Sequence, residues 1–259
     1  MKTKKILIGL IGLIVILSCE KNNDSDTNEI KNYQKHAKLK RVLLYSSVDS
    51  KEPINIVDEY KYDSLNRVCK VSSPMYENGE ITGIIKYDSY EYNIKGELAK
   101  IFNFNANTNS PIGFINLKNY IYTYSSNGIK EKELIEYPQI NSYEYSMFKY
   151  SNTKLVKVEK YDDKDILETF TIYEYNNLGE LTKEISYTSD DIIISVTNNT
   201  YDKGLNILTE VYSGNNENKI REINKTYDSN GNLIMIESNE LKPYSSLISH
   251  VMRYEYYEE

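Results

Sequence analysis

The chain has 259 residues and a net charge of −7, with 26 Tyr, five Phe and no Trp. At 27% charged and 40% hydrophobic residues it is neither a disordered chain nor a polytopic membrane protein. Two Cys and two His leave little material for a thiol, metal or Ser-His-Asp centre.

Lys2, Lys4 and Lys5 open the chain ahead of an apolar run from Ile6 to Leu17. Twelve helical residues span roughly 18 Å, short of a bilayer core of about 30 Å. The segment therefore reads as a signal peptide rather than a membrane span. Its end, Ile16-Leu17-Ser18-Cys19, resembles the lipobox of bacterial lipoproteins, with Leu17 a departure at the −2 position. That resemblance implies cleavage after residue 18, acylation of Cys19 by diacylglycerol and palmitate, and a lipid anchor as the contact with a membrane. The outer membrane is the expected location, on either its periplasmic or its cell-surface side. Without Lys2, Lys4 and Lys5 the chain keeps 28 basic against 38 acidic residues, a net charge of −10. No basic block is present, which argues against nucleic acid as a partner. Residues 19–38 are rich in Asn, Asp, Lys and Glu and are expected to form a tether reaching roughly 20–25 Å. With Cys19 acylated, Cys69 has no disulfide partner, so the domain over 39–259 has to hold together by sheet pairing and burial.

From Leu39 onward the sequence repeats itself. Aromatic residues two apart recur at Tyr60/Tyr62, Tyr90/Tyr92, Tyr122/Tyr124, Phe148/Tyr150, Tyr173/Tyr175 and Tyr254/Tyr256, whereas two copies keep only Tyr201 and Tyr227. The second members are spaced 30, 32, 26, 25, 26, 26 and 29 residues apart, the mark of a repeat array. Residues two apart share one face of a strand, so each pair predicts a first strand. Gly or Asn then follows at Asn66, Gly96, Gly128, Gly179 or Gly231, as a tight turn requires. A second strand is predicted to open at Val68, Leu98, Leu155, Leu181, Ile207 or Leu233. Apolar residues three apart in these strands (Val68/Val71, Leu98/Ile101, Leu155/Val158, Leu233/Ile236) imply either a β-bulge or partial cover on both faces.

Eight such units predict about sixteen strands, expected as an elongated, coiled, all-β antiparallel meander with its aromatic face turned inward. A sixteen-stranded outer-membrane barrel matches the strand number but needs a continuous apolar outer band, where Glu, Lys and Thr occur between the tyrosines. The last unit is expected to end as an exposed edge blunted by Glu258 and Glu259.

Tyr227-Asp228-Ser229-Asn230-Gly231-Asn232-Leu233 resembles the YD repeat of Rhs/YD-repeat proteins, and Tyr62-Asp63 to Val68 is similar with Asn66 in place of Gly. Tyr92–Leu98 and Tyr175–Leu181 keep Tyr, Gly and Leu but carry Asn for Asp, and Tyr201-Asp202 has its Gly early at Gly204. The resemblance, over residues 39–259, implies a β-shell fold, here with far fewer repeats than the toxin-enclosing Rhs shells and without a cargo domain. It is nearest to short YD-repeat envelope lipoproteins.

Candidate chemistry is sparse. His36 falls in the tether and His250 in the final strand, where it reads as an ordinary strand residue; Cys69 reads as a small half-buried one. Asp162–Asp165 and Asp228–Gly231 lack the spacing of an EF-hand and read as hairpin turns. No catalytic residue, metal ligand or cofactor is expected. The expected role is a non-catalytic scaffold binding a glycan or protein. Alternatives are a carboxylate-dependent polysaccharide hydrolase and a structural or toxin-neutralising envelope protein. Thirteen tyrosines belong to the recurring positions and are expected to form the array's core. The irregular remainder, such as Tyr76, Tyr137, Tyr143, Tyr244 and Tyr257, is where a ligand site is sought.

Overall fold

The computed structural model describes residues 38–77, 80–106, 113–214, 218–241 and 249–257. The signal peptide, Cys19, the tether with His36, Tyr244 and the terminal Glu258 and Glu259 lie outside the described residues. So does the side chain of Tyr76.

The chain forms β1 (Leu39–Tyr45), β2 (Asn55–Tyr62), β3 (Val68–Glu77), β4 (Glu80–Tyr92), β5 (Leu98–Ala106), β6 (Phe114–Tyr124), β7 (Lys130–Tyr137) and β8 (Ser142–Ser151). It continues through β9 (Lys154–Tyr161), β10 (Leu167–Tyr175), β11 (Leu181–Thr188), β12 (Ile193–Asp202), β13 (Leu205–Ser213), β14 (Asn218–Tyr227), β15 (Leu233–Glu240) and β16 (Ser249–Tyr256). Every strand pairs antiparallel with its sequence neighbours, and β16 pairs with β1, so the sheet is a closed barrel. This corrects two expectations. The meander is not open and coiled, because its two end strands find each other, and Tyr256 opposes Leu39 rather than ending at a bare edge. Closure removes the row of unpaired amides that an open sheet of sixteen strands would have to hide.

A β-bulge accounts for the apolar residues three apart. Tyr60 pairs with Val71, whereas Tyr62 pairs with Val68, with a register shift between Lys61 and Tyr62. Residues two apart on one strand thus oppose residues three apart on the next, and Cys69 is the extra residue. The same shift falls beside Tyr92, Tyr124, Tyr150, Tyr175, Tyr201 and Tyr227. At the seam it lies between Leu39 and Arg41, opposite Tyr256 and Glu255. One register correction follows: Tyr201 is opposed by Asn206, and Ile207, expected to open that strand, is solvent-exposed.

The turn chemistry follows from the residue after each tyrosine. The carboxylate of Asp63 accepts from the amides of Leu65 and Arg67, both at 2.9 Å, and Asn66 takes φ 62°. Asp228 does the same for the amides of Asn230 and Asn232, with Gly231 at φ 81°, a conformation side chains other than Asn and Asp resist. Asp162 accepts from the amides of Lys164 and Ile166, so Asp162–Asp165 is the hairpin turn expected of it.

The tyrosine hydroxyls tie neighbouring hairpins together. Tyr62 donates to the carbonyl of Leu39, Tyr92 to Val68, Tyr124 to Leu98, Tyr175 to Leu155, Tyr201 to Leu181, Tyr227 to Asn206 and Tyr256 to Leu233, all at 2.7–2.9 Å. Each bond joins two strands at the end where no turn connects them. These tyrosines therefore ring one rim of the barrel.

Apolar burial is modest and reaches both walls. Val42, Val71, Ile101, Ile223 and Ile236 lie inward between the aromatic rings. Outside, Leu43, Tyr45, Ile56 and the fully buried Val251 cluster over the β1–β16 seam, and Met235 packs against them. Around the outer wall, cross-strand rings stack as Tyr87–Phe104, Tyr145–Tyr161 and Phe170–Tyr187, with centroids 4.7–5.0 Å apart. The ammonium groups of Lys70, Lys132 and Lys157 sit over Tyr87, Tyr145 and Phe170 at 4.0–4.3 Å. Charge at this level departs from the continuous apolar band of a membrane-spanning barrel. Lys149 and Lys157 lie directly opposite each other, and Glu159 bridges them at 2.8 and 2.9 Å.

Two stability outcomes are expected. Tyr227→Phe removes one hydroxyl–carbonyl bond and costs about 1 kcal/mol in urea unfolding. Tyr150→Phe, whose hydroxyl makes no such bond among the described residues, costs clearly less. Glu159 is held at about 2, against an ordinary 4.5, by Lys149, then Lys157 and Tyr161. Its folded value is depressed, so its contribution is complete above the unfolded value and is lost as pH falls toward 2. Glu159→Gln therefore lowers the melting temperature at neutral pH, and the gap to the native protein closes near pH 2.

Candidate functional site

The face that carries the tyrosine pairs is the inner wall. Burial, foremost, lifts the phenols of Tyr60, Tyr90, Tyr122, Tyr173 and Tyr254 well above their ordinary value, although every ring keeps part of its surface exposed. Charges on strands two or three apart also act on one another there: Asp58 on Tyr254, Asp88 on Tyr120 and Lys225 on Glu184. Such convergence belongs to the concave side of a curved sheet. Sixteen strands give a barrel too wide for side chains of opposite walls to fill, so this wall faces solvent. Burial and neighbouring groups raise the rim phenols of Tyr62, Tyr124 and Tyr256 to about 12, so they stay protonated and can donate.

One level below the rim the wall is built from Tyr60, Tyr90, Tyr122, Phe148, Tyr173 and Tyr254, paired with Val71, Ile101, Glu133, Val158, Glu184 and Val42. On β12 and β14 the same positions hold Asn199 and Lys225, paired with Thr209 and Ile236. Four neighbouring strands, β11 to β14, thus present Glu184, Asn199, Thr209 and Lys225 in a ring that is otherwise aromatic and aliphatic except for Glu133. Lys225 Nζ donates to Thr209 Oγ1 at 3.1 Å, and that hydroxyl donates to Asn199 Oδ1 at 2.7 Å. Asn206 Nδ2 donates to the same Asn199 oxygen at 2.9 Å, and Asn199 hydrogen-bonds Glu184. The chain of hydrogen bonds runs from an ammonium to a carboxylate. Burial pushes the carboxyl of Glu184 up and the ammonium of Lys225 down. Lys225 keeps donors to spare, and among the described residues no carboxylate oxygen lies within 4.0 Å of it.

A second polar group lies on β2 to β5. Ser73 donates to Asp58 at 2.7 Å and Asn103 to Asp88 at 2.6 Å. Burial, then the charge of Asp58 among lesser influences, raises the carboxyl of Asp88.

The residues singled out in the sequence fare unevenly. His250 is exposed on β16, and Cys69 is partly buried in its bulge. Tyr137 donates to Glu144 at 2.9 Å, and with Tyr143 and Glu168 these residues line a shallow surface pocket near the β7–β8 turn. Tyr257 reaches the carbonyl of Tyr60 at 3.2 Å and packs edge-on against Tyr62 beside the seam. Tyr137 and Tyr143 thus share one pocket, and Tyr257 lies apart from them beside the seam. The inner polar window was missed, although its signal was present: the copies at Tyr201 and Tyr227 lack a first aromatic because Asn199 and Lys225 stand there.

No protein-family model matches the sequence, and no curated protein matches it. Among solved structures, a porin-like protein from Bacteroides uniformis aligns over 85% of this chain and 98% of its own length, with a TM-score of 0.52 and 12% identity. A porin-like protein from Bacteroides vulgatus aligns over 85% and 99%, with a TM-score of 0.36 and 13% identity. The Tc holotoxin pore of Photorhabdus luminescens aligns over 72% of this chain but 12% of its own, with a TM-score of 0.29 and 12% identity. The first of these shares the fold.

Asn199→Leu removes the acceptor of two hydrogen bonds and the donor to Glu184. It is expected to cost about 1–3 kcal/mol, because the groups left behind are desolvated without partners. Urea unfolding beside Asn198→Leu, on the opposite face of β12, separates this loss from a strand-wide effect.

Proposed function

We propose that this protein is a lipid-anchored envelope lipoprotein, acylated at Cys19 and held at the outer membrane, whose barrel is a non-catalytic scaffold that binds glycan on its inner wall. The observation that carries the reading is the chemistry of that wall. Flat, partly exposed phenol rings alternate with amides, hydroxyls, an ammonium and carboxylates that retain hydrogen-bonding capacity. This mixture suits sugar rings, which offer an apolar face and a rim of hydroxyls. We also read the sixteen strands as eight two-stranded YD-like units. In that reading the tyrosine ties hairpins together, the Asp or Asn folds the turn, the Gly takes positive φ, and the bulge turns residues three apart to one wall. The likeness of fold to a porin-like protein supports an envelope setting.

Full-length protein extracted from cells and applied to a glycan array is expected to bind saccharides. Metabolic labelling with a palmitate analogue is expected to mark it, and Cys19→Ala to abolish the label. Absence of any glycan bound, or an unlabelled native protein, would sink the corresponding half of the proposal.

One observation favours a hydrolytic second reading. Asp58 and Asp88 face the same wall on β2 and β4, and the charge of Asp58 acts on Asp88, as in the carboxylate pairs of glycosidases. Release of reducing ends from envelope polysaccharide, lost in Asp88→Asn, would establish it; glycan binding without turnover would remove it.

A further inference from the structure

The polar window on β11 to β14 contains a cation with no carboxylate within 4.0 Å among the described residues, Glu184 acting on it from beyond that distance. Ammonium groups withdrawn from bulk water are ordinarily paired, since desolvation of a lone charge is costly. Lys225 shares the inner face of β14 with Tyr227, and its hydrogen bond goes to an uncharged hydroxyl, Thr209, at 3.1 Å. Thr209 cannot neutralise it, because its hydroxyl carries no charge; it accepts from Lys225 and donates its own proton to Asn199. The nearest inward carboxylate along the network is Glu184, and it is separated from Lys225 by the Thr209 and Asn199 side chains. Elsewhere on β14 the cations are paired: Arg221 with Glu240 at 2.6 Å, and Lys219, on the outer wall, with Glu210 and Glu222 at 2.9 and 2.7 Å. Lys225 is also the point where the ring of aromatics lapses, which leaves the ammonium reachable from the lumen.

The geometry points to Lys225 as the anchor for a carboxylate carried by the saccharide, so that the inner wall selects a uronic-acid-containing glycan over its neutral counterpart. This rests on the glycan-binding reading of the inner wall and specifies its substrate class. The carboxylate would accept from the free Lys225 donors, and the sugar ring would lie against Tyr227. Thr209, Asn199 and Asn206 hold the lysine in place through the network and are positioning residues.

The test is calorimetric titration of the full-length chain at low ionic strength with a galacturonate trisaccharide and, separately, a galactose trisaccharide. The native protein is expected to prefer the uronate by about tenfold or more, the scale of a hydrogen bond to a charged group. Lys225→Met is expected to lose that preference and to bind the two sugars alike. Lys225→Arg retains a cation and is expected to restore much of the preference, and Lys219→Met, the same charge change on the outer wall, to leave it intact. Equal binding of the two sugars by the native protein overturns the proposal while leaving the glycan reading standing. A preference that survives in Lys225→Met overturns it too, as does one lost equally in Lys219→Met. If neither sugar binds, both the proposal and the glycan reading fall. Should Lys225→Met not fold, the Lys225→Arg and Lys219→Met comparison with the two sugars still decides the matter.

Discussion

The structure depends on a hydrogen bond from a tyrosine hydroxyl to the main-chain carbonyl of a neighbouring strand. A hairpin secures its two strands at the turn, but the next strand pair around the barrel has nothing covalent to hold it at that same rim. Tyr62, Tyr92, Tyr124, Tyr175, Tyr201, Tyr227 and Tyr256 supply the missing tie there. Tyrosine suits the task because its ring buries apolar area while its hydroxyl reaches a main-chain acceptor on the neighbouring strand. Phenylalanine would bury the area without making the tie; tryptophan would point its donor elsewhere. Seven of the 26 tyrosines have this one cause.

The bulge beside each of these tyrosines bends the wall and sets its curvature. It also brings aliphatic residues three apart to the inner side of one strand, which keeps the wall apolar between the rings. With no helix among the described residues to cover either face, the barrel distributes burial over both walls, and small clusters replace a single core. The outer seam cluster around Val251 is the most dehydrated of these, and it sits where the chain has no turn to help it.

Local chemistry was legible in the sequence because it acts over a few residues. The Tyr-x-Tyr pairs, the Asp63 and Asp228 turns and the positive-φ positions at Asn66 and Gly231 could all be read there. Closure could not, since the pairing of Leu39 with Tyr256 joins residues at opposite ends of the domain and leaves no periodic trace. The choice between bulge and two-sided cover was likewise undecidable without knowing that Tyr62 opposes Val68 and Tyr60 opposes Val71. The outer stacked rings were hidden for another reason. Tyr145 and Tyr161 meet only across strands, so their spacing along the chain resembles chance. Asn199 and Lys225 show the reverse case, in which a lapse in the pattern was visible but its meaning required the neighbouring strands.

The pairing of β16 with β1 has a topological consequence. The strand opened at Leu39 takes the place that a second hairpin strand takes elsewhere, and the register shift opposite Tyr256 matches the one beside Tyr62. The polypeptide therefore behaves as a loop of hairpins cut at a single point, and the cut could equally fall at another turn of the same rim without changing any pairing. In such a circular arrangement no hairpin is first or last, and the bore is fixed by the number of hairpins between the two sides of the cut. Gain or loss of one hairpin during evolution would change the diameter of the vessel while leaving the chemistry of every joint the same.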